Sequence, residues 1–450
     1  MSIHTVKQAE DLIYQSYVRA IDHIEDVRDE KVKKPELTRR LLDLIGTPDQ
    51  GQKFILVTGS KGKGSTSRFI SSLLSHHGLK VGLFTSPHLV NFNERIRIDG
   101  KAISDQDLIR ISNQIKESVE TIEQNLSYDE YQGPIGIAIA IAARYFKENQ
   151  TDINVIECGR GGKYDDTNVL NNEWAVITPI MEEHVPNLGP HLSNIVTHKL
   201  GIIKEQTKRI YINHQSEKAT ALIKERLPND KRYSFYANDF SVQQIEMTSK
   251  GTSFTVKTKR STYAHLSVPL LGGFQAINAG IAVSVAEDIV KGPLKGRILR
   301  ECFTQLQWPG RCEVIQTNPP VILDGAINET TANYVKDVVK LIDQTREKKI
   351  VTIVGVPANK DYQGVMKVLS EVSDEMIVTQ PDRSHLPFPE DALETVLNYH
   401  ANGVSFPFLA EALDYVKKDV DIDLILIIGT QTFIGNAKRL FGHSLLDIGK

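Results

Sequence analysis

The chain has 450 residues, too many for one ordinary hydrophobic core and enough for two or three domains. Lys plus Arg number 53 against 56 Asp plus Glu, and the net charge of -3 gives no field that would recruit nucleic acid or an anionic membrane. The longest uncharged apolar run, 135–143, is far short of the ~20 residues that span a bilayer. Residues 1–8 lack the apolar stretch of a secretory signal, and the three cysteines show no C-x-x-C spacing; together these point to a cytoplasmic protein without a disulfide framework or zinc site.

In chain order, Ile13, Tyr17, Ile21 and Ile24 recur at helical spacing, and Leu37, Leu41, Leu42 and Ile45 do so again before Gly46 and Pro48. Short apolar runs at 54–58, 81–85, 153–158 and 174–180 read as buried parallel strands. Helical spacing at 65–77 and 106–124 lies between them, which predicts a doubly wound α/β domain. Alternation around Phe254 and Val256, with Lys250-Gly251 in a turn, predicts an antiparallel β insertion over 233–269 on the edge of that domain. A helix over 276–290 follows. After Trp308-Pro309-Gly310 the α/β rhythm resumes, with strands expected at 321–324, 350–354, 375–379 and 424–428. The expected organisation is an ATPase-like domain over 1–308 and a smaller Rossmann-like α/β domain over 309–450.

The strand 54–58 runs directly into Gly59-Ser60-Lys61-Gly62-Lys63-Gly64-Ser65, and a helix starts there. Strand, glycines, lysine, hydroxyl and helix in this order describe a phosphate loop. Glycines permit positive φ and close approach of backbone N–H groups, and the helix N-terminus adds partial positive charge. Lys63 is placed to pair with the β- and γ-phosphates of ATP. Ser65 is placed to give its hydroxyl to Mg²⁺, with Thr66 as a near substitute. The spacing departs from G-x-x-x-x-G-K-[ST], because Gly64 separates Lys63 from Ser65.

The segment Val57 to Ser65 resembles the ATP loop of the folylpolyglutamate synthase and dihydrofolate synthase family, within the Mur ligase superfamily. Thr85-Ser86-Pro87-His88-Leu89 with Asn93-Glu94-Arg95-Ile96 is similar to that family's next motif. Glu157-Cys158-Gly159-Arg160-Gly161-Gly162, with Asp165 and Thr167-Asn168, follows its E-x-G-x-G-G pattern. Lys199-Leu200-Gly201-Ile202-Ile203-Lys204 matches K-A-G-I-I-K, and Trp308-Pro309-Gly310-Arg311, Asp324-Gly325-Ala326-Ile327-Asn328 and the stretch from Gly355 to Lys360-Asp361 look like its later motifs. The match runs in order from about Lys34 to about Gly435.

The resemblance implies an ADP-forming ligase: a carboxylate takes the γ-phosphate of ATP, and the amine of an amino acid, glutamate in the family, displaces phosphate from the acyl phosphate. It implies Mg²⁺ at two sites, with Ser65, Ser86 and Glu157 as oxygen ligands of one and His184 as a ligand of the other. Lys199 falls at the family position of a carbamylated lysine. Asn278, Arg311 and Asp324 resemble nucleotide contacts, joining Gly59 to Thr66. It also implies a monomer whose partners are a small carboxylic acid and an amino acid. Taken singly, Glu157 could cap a turn, His184 could be a satisfied histidine, Lys199 a helix-face lysine and Arg311 an exposed linker residue.

Four departures from the family pattern stand out. Ile327 replaces the histidine of D-G-A-H-N, and Phe274 that of H-Q-x-x-N-A. Glu183-His184 replaces Asp-His. Pro134-Ile135-Gly136-Ile137 replaces an aromatic F-F-E-F stretch on the pterin side, so a glutamate is lost at Gly136. The first two leave apolar groups near the nucleotide; the last removes a group that would discriminate a polar ring. The same chemistry on a non-folate acid, a nucleotide-binding homologue without catalysis, and a kinase that stops at the acyl phosphate are the competing readings.

Overall fold

A computed structural model describes residues 2–248, 250–381, 386–399 and 402–450. Phe54–Thr58 is buried at every position and pairs in parallel with Ile153–Glu157 on one side and Asn172–Ile177 on the other. Its side chains alternate between two cores: Phe54 and Leu56 face one cluster, Ile55 and Val57 another. A strand covered on both faces has no place for polar residues, which is why Phe-Ile-Leu-Val is continuous there. Val81–Phe84, Arg209–Ile212 and Arg232–Phe235 extend the parallel sheet, and the hairpin Ile96–Ile98 with Lys101–Ala102 closes one edge antiparallel.

One face of this sheet is covered by Val6–Ala20, Pro35–Leu44, Asp105–Glu123 and Pro134–Glu148, the other by Lys63–His76, Gly273–Ile289 and Gly296–Gln305. The first helix is fixed at its start by a capping box between Thr5 and Gln8. It ends at Ala20, so the expected helical continuation through Ile21 and Ile24 is replaced by a 3-10 turn with Ile21 exposed.

The antiparallel insertion is Phe240–Thr248, Gly251–Thr258 and Thr262–Val268. It begins later than expected, because Arg232–Phe235 belongs to the large sheet. It also does not lengthen the sheet edge: Phe240, Val242, Phe254 and Val256 pack into the core shared with the helix Lys63–His76.

The second sheet has the order Arg311–Thr317, Pro320–Asp324, Leu424–Gly429, Ile350–Gly355, Glu375–Val378, Gly403–Ser405, parallel except for the first strand. The chain then returns to the first sheet. Arg97 donates to the carbonyls of Leu445 and Leu446, and the fully buried Arg68 donates to those of Ile448, Gly449 and Lys450. Residues 445–450 therefore pack on the first domain, beside the helix that begins at the phosphate loop. Among the described residues, no helix is long and apolar enough to cross a membrane.

Candidate active site

Gly59 has φ 143° and Gly62 φ 81°, a conformation that side chains rarely adopt. A Cβ at Gly59 would collide with Thr178, and one at Gly62 would press on the Asn278 amide. Asn278 thus lies against the loop, carried by the helix Gly273–Ile289. The N–H groups of Ser60 and Lys61 both bond the Pro179 carbonyl, at 2.8 and 3.3 Å, and the Ser60 hydroxyl is tied to Met181. Those two N–H groups hold the loop's shape. The open donors are those of the first helical turn, from Lys63 onward. The Lys61 side chain is exposed.

Two cations meet at one carbonyl: Lys63 Nζ donates to Gly59 O at 2.9 Å and Lys199 Nζ to the same oxygen at 2.7 Å. Lys199 also pairs with Glu183 Oε1 at 3.0 Å. Lys199 is fully buried; burial, and then the charge of Lys63, push its pKa down to about 8. Burial pushes Glu183 up, but Lys199, Lys63 and the hydrogen bonds it accepts outweigh that and hold it below the usual carboxylate range. His184 is exposed, in a left-handed conformation with φ 50°, and partial desolvation with the charges of Arg160, Lys199 and Lys63 lowers its pKa against the opposing pull of Glu183. His184, Lys199 and Lys63 therefore form one cluster.

Glu157 stands above the loop. Its carboxylate lies beside Gly64, where Trp308 also approaches, and its Oε2 accepts the Ser86 N–H at 3.0 Å. Burial raises its pKa against the opposing charges of Lys63, Arg311 and Arg95. Among the described residues, no group of three or more His, Cys, Asp and Glu side chains is arranged to hold a metal. The donors near the loop are one carboxylate and the hydroxyls of Ser65 and Ser86. That set fits Mg²⁺, which keeps few protein oxygens and completes its shell with water and phosphate. Thr66 Oγ1 is buried without a partner, an orphan acceptor and donor at the head of the helix that a bound group could satisfy.

Arg311 comes from the second domain. Its carbonyl accepts from Gln275, its Nη1 turns back to Gly310 O, and its Nη2 lies 3.2 Å from the amide oxygen of Gln431, whose nitrogen reaches His88 O at 3.1 Å. The amide orientation follows from the guanidinium, which can only donate. Asp324 sits behind this arginine. It accepts from the N–H of Cys312, a bulged residue at φ 48°, and from its thiol. The structure ties Asp324 to the strand pair rather than to the loop.

Beside the loop lies a cleft of ≈ 260 Å³ whose walls include Tyr14, Tyr17, Tyr131, Arg160, Asp165 and Asp166. Arg160 donates to both oxygens of the buried Asp29, at 3.2 and 2.5 Å, and Lys33 bridges Asp29 and Asp165 at 3.3 and 3.7 Å. The helical spacing around Ile13 and around Leu41 is legible in the sequence, but not that this region brings Tyr14, Tyr17, Asp29 and Lys33 to a cleft with Tyr131. The signal available was the pair Asp165-Asp166, separated from the glycines 161 and 162 by Lys163 and Tyr164.

Two family models match: the Mur ligase middle domain over residues 57–286, and the Mur ligase, glutamate ligase domain over residues 310–431. The dihydrofolate synthase/folylpolyglutamate synthase of Bacillus subtilis is 31% identical over 419 residues, covering 90% of this chain and 95% of that protein. Among solved structures, the folylpolyglutamate synthase of Mycobacterium tuberculosis complexed with ADP has a TM-score of 0.82 at 26% identity, covering 98% of each chain. An FPGS-AMPPCP-folate complex has a TM-score of 0.74 at 27% identity, covering 98% of this chain and 100% of that one. The chain belongs to the folylpolyglutamate synthase/dihydrofolate synthase family of Mur ligases, and it is an ATP-dependent ligase that forms carbon–nitrogen bonds.

Proposed function

We propose that this ligase phosphorylates the carboxylate of a folate-type acceptor and joins the resulting acyl phosphate to the amine of glutamate. The convergence of Lys63 and Lys199 on the Gly59 carbonyl, opposite Glu157, carries this reading. An acceptor carboxylate and a γ-phosphate repel each other, and the part-buried Lys63, together with the metal cations the site would hold, lowers that repulsion. Lys63, the first-turn N–H groups and Asn278 hold the phosphates; Arg311, reaching across from a second domain taken as 309–450, screens them from water. Ser65, Ser86 and Glu157 would hold one Mg²⁺, and His184 a second; when bound, the ions neutralise charge on the transferring phosphoryl group. The acceptor carboxylate oxygen attacks phosphorus with ADP leaving. The amine nitrogen then attacks the carbonyl carbon, loses a proton and expels phosphate.

Lys199 is assigned to carbamylation. CO₂ adds only to a neutral amine, and a lysine lowered to about 8 supplies that form near neutral pH. The glutamate-binding half of the reaction is assigned to the second domain, in a monomer acting in the cytoplasm. The folate-type acceptor rests on the names of the relatives and of the folate complex.

The test is ADP formation with a panel of carboxylic acids, with and without glutamate, followed by mass spectrometry of the product. Acid-dependent ADP release with a product heavier by one glutamyl residue supports the reading. Release that no acid stimulates identifies a nucleotide binder or simple ATPase, and acid-dependent release without an amide identifies a kinase.

A further inference from the structure

One side-chain amide links the Arg311 guanidinium to the first domain. Gln431 opens the helix Gln431–Leu440, directly after the strand Leu424–Gly429, and Thr430 caps that helix by accepting the Phe433 N–H. The Gln431 oxygen accepts from Arg311 Nη2 at 3.2 Å, and its nitrogen donates to the His88 carbonyl at 3.1 Å. His88 is itself pinned to the first domain. Its Nδ1 accepts from Arg95 Nε at 2.9 Å, and the N–H groups of Leu89, Val90 and Asn91 all end on the Glu94 carboxylate. One turn along the helix, Gly435 lets Leu89 and Val90 close in; a Cβ there would lie 2.3 Å from Val90 Cγ2. Two residues before His88 stands Ser86, whose N–H is bonded to Glu157. Gln431 therefore spans from the arginine of the second domain to the loop that carries Ser86.

The chemistry of that link is selective. Arg311 Nη1 is bonded to the Gly310 carbonyl, and among the described residues the guanidinium makes no ion pair. Its charge nevertheless reaches Glu157, where it opposes the effect of burial on the carboxylate beside Gly64. A guanidinium only donates and a carbonyl only accepts, so a side chain set between them must accept and donate at once. An amide does both. A glutamate would bind the arginine more tightly, neutralise it and turn a negative oxygen towards the His88 carbonyl. A leucine would leave both groups unpaired. Glutamine fixes the guanidinium and leaves its charge uncompensated for an incoming phosphate.

We propose that Gln431 is a positioning residue for phosphoryl transfer, holding Arg311 in register with the loop that carries Ser86 so that the second domain presents its positive charge to the nucleotide phosphates. The proposal rests on the ligase reading above and adds a residue to that site. Gln431 acts through Arg311 and touches no substrate, so its contribution disappears when Arg311 is removed. A donor fixed beforehand needs no reorientation as charge shifts in the transition state, and a small misplacement of it is costly.

The experiment is a double-mutant cycle on the full chain, read by calorimetric affinity for AMPPCP with Mg²⁺ and by acid-stimulated ADP formation. Gln431→Leu is expected to weaken AMPPCP binding and to lower kcat, each by about 10–100-fold, with the acceptor KM and the melting temperature close to those of wild type. Gln431→Glu is expected to lose more than Gln431→Leu, because its carboxylate neutralises Arg311, and it serves if the leucine variant does not fold. In an Arg311→Ala background either substitution is expected to change AMPPCP affinity by less than about twofold. An equal loss in both backgrounds assigns Gln431 to domain packing alone and overturns the proposal. So does wild-type behaviour of Gln431→Leu, of Gln431→Glu or of Arg311→Ala. Failure of the ligase reading shows separately, as the absence of acid-stimulated ADP formation in the wild type, and leaves the affinity cycle readable.

Discussion

The phosphate loop and the acceptor cleft lie side by side but treat charge in opposite ways. At the loop, Lys63 and Lys199 lean on a single backbone carbonyl and Glu183 pairs with Lys199, which leaves the Lys63 ammonium to turn towards an incoming anion. In the cleft, Arg160, Lys33 and Lys34 are matched by Asp29, Asp165 and Glu130, while Arg95, bonded to His88 and Tyr14, and the acid Asp166, bonded to Thr38, stand outside these ion pairs. The loop is organised for a triphosphate, which every ligase of this type must hold. The family pattern departs at Gly136 in the cleft, and also at Phe274, Ile327 and Glu183 on the nucleotide side.

The loop half of this contrast predicts the largest effects. Lys63→Ala should lower acid-dependent ADP formation on the order of 10³-fold, since it removes a donor aimed at transferring charge in a desolvated site. A loss of less than tenfold, in a coupled assay at saturating ATP, contradicts the assignment. Lys199→Ala should lower kcat on the order of 10²-fold, with partial recovery on adding a short carboxylate. In wild type, added bicarbonate should raise the rate most below pH 8, where little of the Lys199 amine is neutral, and least above it. A rate indifferent to bicarbonate across that range removes the carbamate from the account.

The cleft half predicts smaller effects confined to the acceptor. Arg160→Ala leaves Asp29 buried with Lys33 alone; the acceptor KM should rise about tenfold with the ATP KM unchanged, and stability should fall by about 1–2 kcal/mol because the arginine is partly solvated. Equal changes in both KM values would show that loop and cleft are not separable in this way. The last effect is one of stability alone, with no change expected in turnover. Asp166 has a folded pKa of about 6, above the ordinary 3.8, so the native state binds the extra proton between those values. This group therefore makes the protein more stable as pH falls from about 7 towards 4, by up to about 3 kcal/mol. Asp166→Asn should remove that rise and leave the protein more stable than wild type at pH 7, in urea midpoints taken across the range.

The difference between the two regions also explains what the sequence disclosed. Phe54–Thr58 and the glycines after it were legible to the residue, because a buried parallel strand and a positive-φ loop each restrict composition locally. Lys199 and Glu157 are legible only through motif order, since nothing local says that Lys199 reaches the carbonyl of Gly59, 140 positions away. The cleft was not legible. Asp29, Thr38 and Asp166 come from a short helix, a second helix and a turn, and their meeting depends on how helices pack on the sheet. The strand Arg232–Phe235 was misassigned to the insertion because its residues alternate in a way that suits either sheet, and only pairing with Arg209–Ile212 decides. Arg311–Thr317 was missed because it follows Pro309-Gly310 and carries polar residues suited to an edge.

The most direct test of the acyl-phosphate account uses an acceptor acid labelled with ¹⁸O in both carboxylate oxygens, with ATP and glutamate, and mass spectrometry of the phosphate and amide released. Attack of the carboxylate on the γ-phosphate followed by amine displacement places one ¹⁸O in each phosphate and leaves one in each amide carbonyl. Phosphate carrying no label, with ADP still formed, would contradict it.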